Sequence, residues 1–363
     1  MSGRSEATTA LQREDAASLT DEHFTAVQAR RRRLAGINRY TGLVLWALII
    51  ALFAAWVPST FLSDITFKNI AGGQAVTVVL ALGVLFTLAA GQYDLSIAQN
   101  LGFSAVLDAY LMVQEHCSAP VAALITLLTG VGVGLINGFL VVALGINSFI
   151  ATLGTSAILL SMTELLSGDQ FIGPVSSNFQ KIASPNPLGV PILAFYALGL
   201  AIIVWYLLEH TPFGRRMHAT GADVNAARLA GVRVDAYRYG ALTLGGLFAS
   251  LAGLLVVAKI GSVSPTLGPA YLLPSFAACF LGTTQIKLGR FNVWGSVLAI
   301  YLLATGVTGL QLVGGQAWIT DLFNGAALIL AVGIAVASQG GQQLKLGRRW
   351  NRQRNATGRE QAA

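Results

Sequence analysis

Four carboxylates, Asp94, Asp108, Glu164 and Asp321, lie inside or beside long apolar runs, where an ionisable side chain by default marks an ion or substrate path. Asp108, Glu164 and Asp321 fall toward the outer ends of their runs, within snorkelling reach of water. Asp94 is the exception, because it closes the four-residue connection Gly91-Gln92-Tyr93-Asp94 between two apolar runs. There it either caps the next helix through the Ser96 and Ile97 amides or meets whatever is transported. Catalysis finds no comparable support. The sequence contains no Gly-Lys dipeptide and hence no P-loop, no HExxH and no GxSxG. Its four histidines, His23, His116, His210 and His218, fall outside or at the ends of the apolar runs. The expectation is a non-catalytic chain with no cofactor and no metal of its own.

The elements that must hold these residues are membrane helices. Of 363 residues, 54% are hydrophobic and 11% charged, with a mean hydropathy of +0.65; soluble domains carry roughly 25% charge. The expected fold is all-α and polytopic, with about ten transmembrane segments, some short or broken, at 41–57, 70–90, 95–113, 120–144, 149–166, 191–208, 239–257, 271–281, 291–310 and 317–337. The eleven-residue run at 271–281, bracketed by Pro269, Pro274 and Gly282, is too short to span and reads as a partial helix. A connection as tight as 91–94 is tolerated in lipid only when buried in protein. Gly130, Gly134 and Gly138 form small-xxx-small faces for close helix approach, and Thr152, Thr155, Ser156 and Thr163 can bond across helices or to the backbone.

Residues 1–40 read as a cytoplasmic tail, with an amphipathic surface helix conceivable over 20–34; 41–337 is the membrane domain, and 338–363 a basic cytoplasmic tail. The order of the basic cluster and first apolar run suits a retained signal-anchor. Cys117 and Cys279 read as two unpaired thiols. The net charge of +7 is spread beside membrane segments, so it speaks for topology rather than nucleic acid. With both termini inside, only Lys68, Lys181 and Lys259 of the 23 lysines and arginines face out, which supports an N-in, C-in arrangement. It also places 211–238, with five arginines, in the cytoplasm. Within that loop one short helix is expected from Asp223, its cap, to Gly231, its stop. Leu312-Val313-Gly314-Gly315-Gln316 is one residue from an LSGGQ nucleotide-binding signature, but with no nucleotide fold around it the string reads as a turn.

Several strings together resemble one family. Gly91-Gln92-Tyr93-Asp94-Leu95-Ser96-Ile97 resembles the GGIDLSVG block of sugar-type ABC importer permeases, the ribose, xylose, arabinose and galactose class. Gly134-Leu135-Ile136-Asn137-Gly138 and Phe149-Ile150-Ala151-Thr152-Leu153-Gly154-Thr155 resemble its G-x-x-N-G and F-I-x-T-L-G blocks. Thr211-Pro212-Phe213-Gly214-Arg215-Arg216, followed by Gly221 to Gly231, resembles its cytoplasmic loop. The match runs in order from about residue 70 to 335.

The resemblance implies a homodimeric or heterodimeric pore in the bacterial inner membrane, two cytoplasmic ABC ATPase subunits that bind ATP and Mg, and a periplasmic or lipid-anchored solute-binding protein. It makes the short helix a coupling helix, with Gly221, Asp223, Asn225, Ala226, Ala227, Arg228 and Gly231 at the ATPase. On this reading Ala226 and Ala227 seat deeply while Arg228 and Arg233 pair with partner acids. Asp94, Ser96, Asn100, Asn137, Phe149, Thr152 and Thr155 become the translocation path, offering transient hydrogen bonds to a sugar or sugar-like solute. The chain departs from the pattern at Gln92, Tyr93 and Ala98, and its late glycine-rich block is reduced to 282–290. These departures leave room for a permease for branched-chain amino acids or nucleosides. An ion-coupled secondary carrier, motivated by Asp94 and the broken segments, is the rival of a different class.

Overall fold

The structure, a computed structural model, describes residues 41–316 and 318–333. The tails, with the surface helix considered over 20–34, lie outside these. The described residues are helical, and their one strand-like pairing is an isolated bridge between Ile172 and Val263. In order come α1 (Thr41–Trp56), α2 (Pro58–Phe61), α3 (Asp64–Gly73), α4 (Ala75–Ala89), α5 (Ile97–Val113), α6 (Ala119–Gly138), α7 (Ser148–Ser167) and α8 (Ser177–Gln180). Then follow α9 (Ile192–His210), α10 (Pro212–Ala222), α11 (Val224–Leu229), α12 (Val234–Ile260), α13 (Leu272–Gly282), α14 (Val293–Leu312) and α15 (Trp318–Gly333). Six helical runs are long and apolar enough to cross a membrane, and four apolar helices are shorter.

The apolar pattern explains the layering. Every residue of α4 is buried, as expected of a helix that is apolar all round. α12 packs along α4, α5 and α6. On the outside of the bundle α6, α7 and α9 leave Leu124, Leu128, Ile150, Leu165 and Ile203 exposed, which suits lipid. The partial helix expected near 271 is found as α13, preceded by a 3-10 turn at Gly268–Tyr271. The thiols of Cys117 and Cys279 are both free.

Three boundaries differ from expectation. The second segment begins at Asp64, because Ser63 Oγ accepts from Thr66 N and Lys68 pairs with Asp64 one turn on, stabilising a polar extension; Gln74 interrupts the run. The seventh begins at Val234 rather than 239, since the exposed end of a helix tolerates Asp235, which pairs with Arg228. The polar loop holds two helices, α10 and α11, where one was expected.

At the centre, α6 and α12 touch backbone to backbone. A Cβ on Gly246 would fall against Gly130 O, and one on Gly134 would lie 2.5 Å from Leu242 O. Asn100 Nδ2 donates to Gly246 O at 3.4 Å and approaches Gly130 O at 3.5 Å, tying α5 to both helices. Gly246→Leu should force this crossing apart and destabilise the fold by about 1–3 kcal/mol. A lowered melting temperature of the purified protein is the expected result; an unchanged one would contradict the contact.

Candidate functional site

The tight break expected around Asp94 is a buried hydrogen-bond relay. After α4 the chain turns through Gly91 and runs without regular structure to Ser96. Asp94 Oδ1 accepts from Ser96 N at 3.0 Å and from Ser96 Oγ at 2.6 Å, so of the two amides foreseen for it Asp94 holds that of Ser96, which is itself the N-cap residue of α5. Asn137 Nδ2 on α6 donates to Ser96 Oγ at 2.8 Å, and Thr155 Oγ1 on α7 donates to Asn137 Oδ1 at 2.7 Å. Donation thus runs in one direction, from Thr155 through Asn137 and Ser96 to the carboxylate.

A second set of bonds satisfies the irregular backbone. Leu95 N donates to Thr152 Oγ1 at 3.0 Å and Tyr93 N to Ser148 Oγ at 3.2 Å. Unmade, such bonds would each cost several kcal/mol in hydrocarbon. Of the seven residues expected to line a path, Asp94, Ser96, Asn100, Asn137, Thr152 and Thr155 are brought together and buried. Phe149 stands apart, half exposed on the outer face of α7. Ser148 belongs to the bonds that satisfy the break's backbone and was not singled out; its place at the start of a segment facing the break was the available signal.

Among the other acids, Glu164 and Asp321 are exposed, as snorkelling requires. Asp108 is not within reach of water. It is fully buried, and neither carboxylate oxygen has a partner among the described residues, because α5 runs inside the bundle between α6 and α12.

The expected cap is present on α11. Asp223 Oδ1 accepts from Asn225 N at 2.9 Å and Ala226 N at 3.0 Å, and Gly231 follows with φ +78°. Arg228 pairs with Asp235 at 3.2 Å. Ala227 is only 4% exposed and faces its own chain, whereas Leu229 is 91% exposed. The large apolar side chain that α11 offers outward is therefore Leu229, beside exposed Asn225, Ala226 and Arg228, and helix-forming tendency alone did not single it out. α10 joins this end to the bundle, with Gly221 packed on Ala89 O and on the turn at Gly91.

The segment after α13 completes the polar end. Lys287 pairs with Glu209 at 2.6 Å. Burial first, then the charges of Arg290 and Lys287, lower the pKa of His218 on α10 to about 4.

Two expectations follow. Asn137→Ala and Thr155→Val should be strongly non-additive, with a coupling of about 0.5–3 kcal/mol in a double-mutant cycle on thermal stability; additivity would dissolve the relay. A histidine held neutral in the fold but titrating near 6.5 when unfolded contributes stability that is complete above about pH 6.5 and declines toward pH 4. Melting temperature should therefore fall over that window, and less steeply in His218→Gln.

Comparison with known proteins meets this geometry. The family model described as "Branched-chain amino acid transport system / permease component" matches residues 66–332. The autoinducer 2 import system permease protein of Salmonella paratyphi B is 31% identical over 292 residues, 80% of this chain and 84% of that protein. The ribose import permease protein of Bacillus subtilis is 29% identical over 307 residues, 84% and 95%. The autoinducer 2 import system permease protein of Escherichia coli K12 is 30% identical over 292 residues, 80% and 85%. No solved structure matches the chain significantly. The resemblance to sugar-importer permeases drawn from the motifs is thereby borne out. A match that begins in α3 and ends in α15 takes in the relay, the capped helix and the half-length helix alike, and the chain belongs to the family of branched-chain amino acid transport system permease components.

Proposed function

We propose that this chain is the non-catalytic permease subunit of an ATP-driven importer in the bacterial inner membrane, forming the path for a sugar or sugar-like solute. ATP and Mg are bound by separate ATPase subunits, a second permease copy or homologue completes the pore, and a solute-binding protein delivers from outside.

An arrangement of about ten membrane segments, α13 among them as a partial helix, with both termini in the cytoplasm is supported by the six long and four shorter apolar helices. The same alternation predicts that 91–96, 211–233 and 283–292 share one side, and the contacts of Gly91 with Gly221 and of Glu209 with Lys287 support it. On the other side Ile172 pairs with Val263. The arginines of 211–238 then mark the first side as cytoplasmic.

The observation that carries the coupling role is a capped two-turn helix whose apolar Leu229 is 91% exposed among charged neighbours. An exposed leucine at a water-facing helix end suits a partner groove, and Arg228 and Arg233 beside it suit acids on the groove's rim. Nucleotide-driven closure of the ATPases would then move α11 and, through α10, the turn at Gly91 as a rigid unit.

In the assembled complex, Leu229→Asp should weaken ATPase association by roughly tenfold or more, about 1.4 kcal/mol, and lower ATP-driven uptake in step. Ala227, being turned inward, should instead report on folding of the loop when enlarged. Full association and uptake with Leu229→Asp would remove the docking role.

A further inference from the structure

We propose that the groove between α1, α3 and α14 binds one phospholipid with a primary-ammonium headgroup, its acyl chain lying in the groove and its head at Asp64 and Lys68. The site is separate from the relay and from α11, and it stands whatever solute the chain carries.

The groove has a volume of about 650 Å³, within the roughly 300–1,000 Å³ of small-molecule sites. α1 and α3 both rest on α14, and α2 joins them at one end, where Phe61 packs on Phe53 with ring centroids 5.7 Å apart. Trp46, Ile50, Phe67, Ile70 and Tyr301 form the walls. Leu62 at the rim is exposed, as are Ile65 and Phe67, so the groove opens on an apolar flank of the bundle.

The hydrogen-bonding side chains of the walls are already partnered within the chain. Trp46 Nε1 donates to Thr305 Oγ1 at 2.9 Å, and the Tyr301 hydroxyl donates to Ala71 O at 3.3 Å. Thr305 Oγ1 donates to Tyr301 O, and Ser63 Oγ and Thr66 Oγ1 both donate to Thr60 O, at 2.7 and 2.8 Å. An occupant is asked for no hydrogen bond there. Such walls reward a hydrocarbon chain, whereas a sugar or a peptide backbone would bury polar groups without partners. Left unfilled, the same walls would lose their dispersion contacts on one side.

The mouth supplies the charge. Asp64, its side chain 73% exposed, is the one charged residue of the lining, and its Oδ2 holds Lys68 one turn on. Oδ1 is left for a second donor, which a primary ammonium provides, while Lys68 keeps N–H groups for the phosphate. A purely anionic head would meet repulsion from Asp64, and a quaternary ammonium has no N–H to give it. The depth also fits. From Asp64 to Ala71, both in the lining, α3 descends about 10 Å at helical rise, most of the roughly 15 Å that one leaflet contributes to the hydrocarbon core. A head seated at Asp64 therefore lays its chain against Trp46 and Tyr301.

The test reconstitutes the full chain in vesicles of phosphatidylethanolamine, phosphatidylglycerol and phosphatidylcholine in equal parts. The chain is then extracted in mild detergent, and its retained phospholipid is counted by native mass spectrometry. About one phosphatidylethanolamine per chain is expected, favoured over each of the other two by roughly fivefold, the scale of an exposed ion pair. Ala71→Phe, which fills the groove, should lose that lipid, and Ile50→Trp fills it from the opposite wall should the first variant fold poorly. Asp64→Asn should keep a lipid and lose the preference. Leu124→Phe, on the outer face of α6, should behave as the unaltered chain. Equal retention of the three lipids by the unaltered chain, a preference that survives Asp64→Asn, or a lipid that persists when the groove is filled overturns the proposal. A lipid-free dimer that Ala71→Phe dissociates also overturns it, giving the groove to a second copy of the chain.

Discussion

Backbone that leaves the helix in a membrane protein must find its own hydrogen-bond partners, and residues 91–96, at the polar end of the bundle, find them in α6 and α7. Ser148 and Thr152 of α7 take the free amides, and Asn137 of α6 and Thr155 of α7 complete the relay to Asp94. These helices reach the break only because glycines let α6 and α12 touch, with Asn100 bonded to both backbones at the crossing. Side chains that look like a hydrophilic path are, in this state, the cement of an irregular turn. A relay that orders the break also makes it responsive, since the same break abuts Gly221 at the polar end.

Much of this was legible in the residues. Asp223 and Gly231 bound α11 as their types require, and the prolines and glycine around 271–281 mark a helix too short to span. Asp94 followed from a four-residue connection that cannot face lipid. What escaped depends on three-dimensional facing. Asp108 lies near a helix end, where sequence alone suggests water, but α5 runs inside the bundle. Ala227 and Leu229 are both apolar and two residues apart, so composition could not say which one α11 turns outward. The early start of α12 escaped because charge was read as excluding a helix, whereas an exposed helix end tolerates it.

The relatives differ in what they carry. The family description speaks of branched-chain amino acids, while the individual relatives are permeases for ribose and for autoinducer 2. Shared architecture therefore leaves the solute to local chemistry.

The central claim is that movement of a small neutral solute through this chain is driven by ATP hydrolysis on other subunits. It is tested most directly by uptake of a labelled monosaccharide panel into proteoliposomes holding the chain, its ATPase and its binding protein. Uptake that requires internal or external hydrolysable ATP, matching the side on which α11 faces, and that persists when ionophores collapse every ion gradient is the predicted result. Uptake that proceeds without the ATPase, or that ends with the ion gradient while ATP remains, would contradict the account.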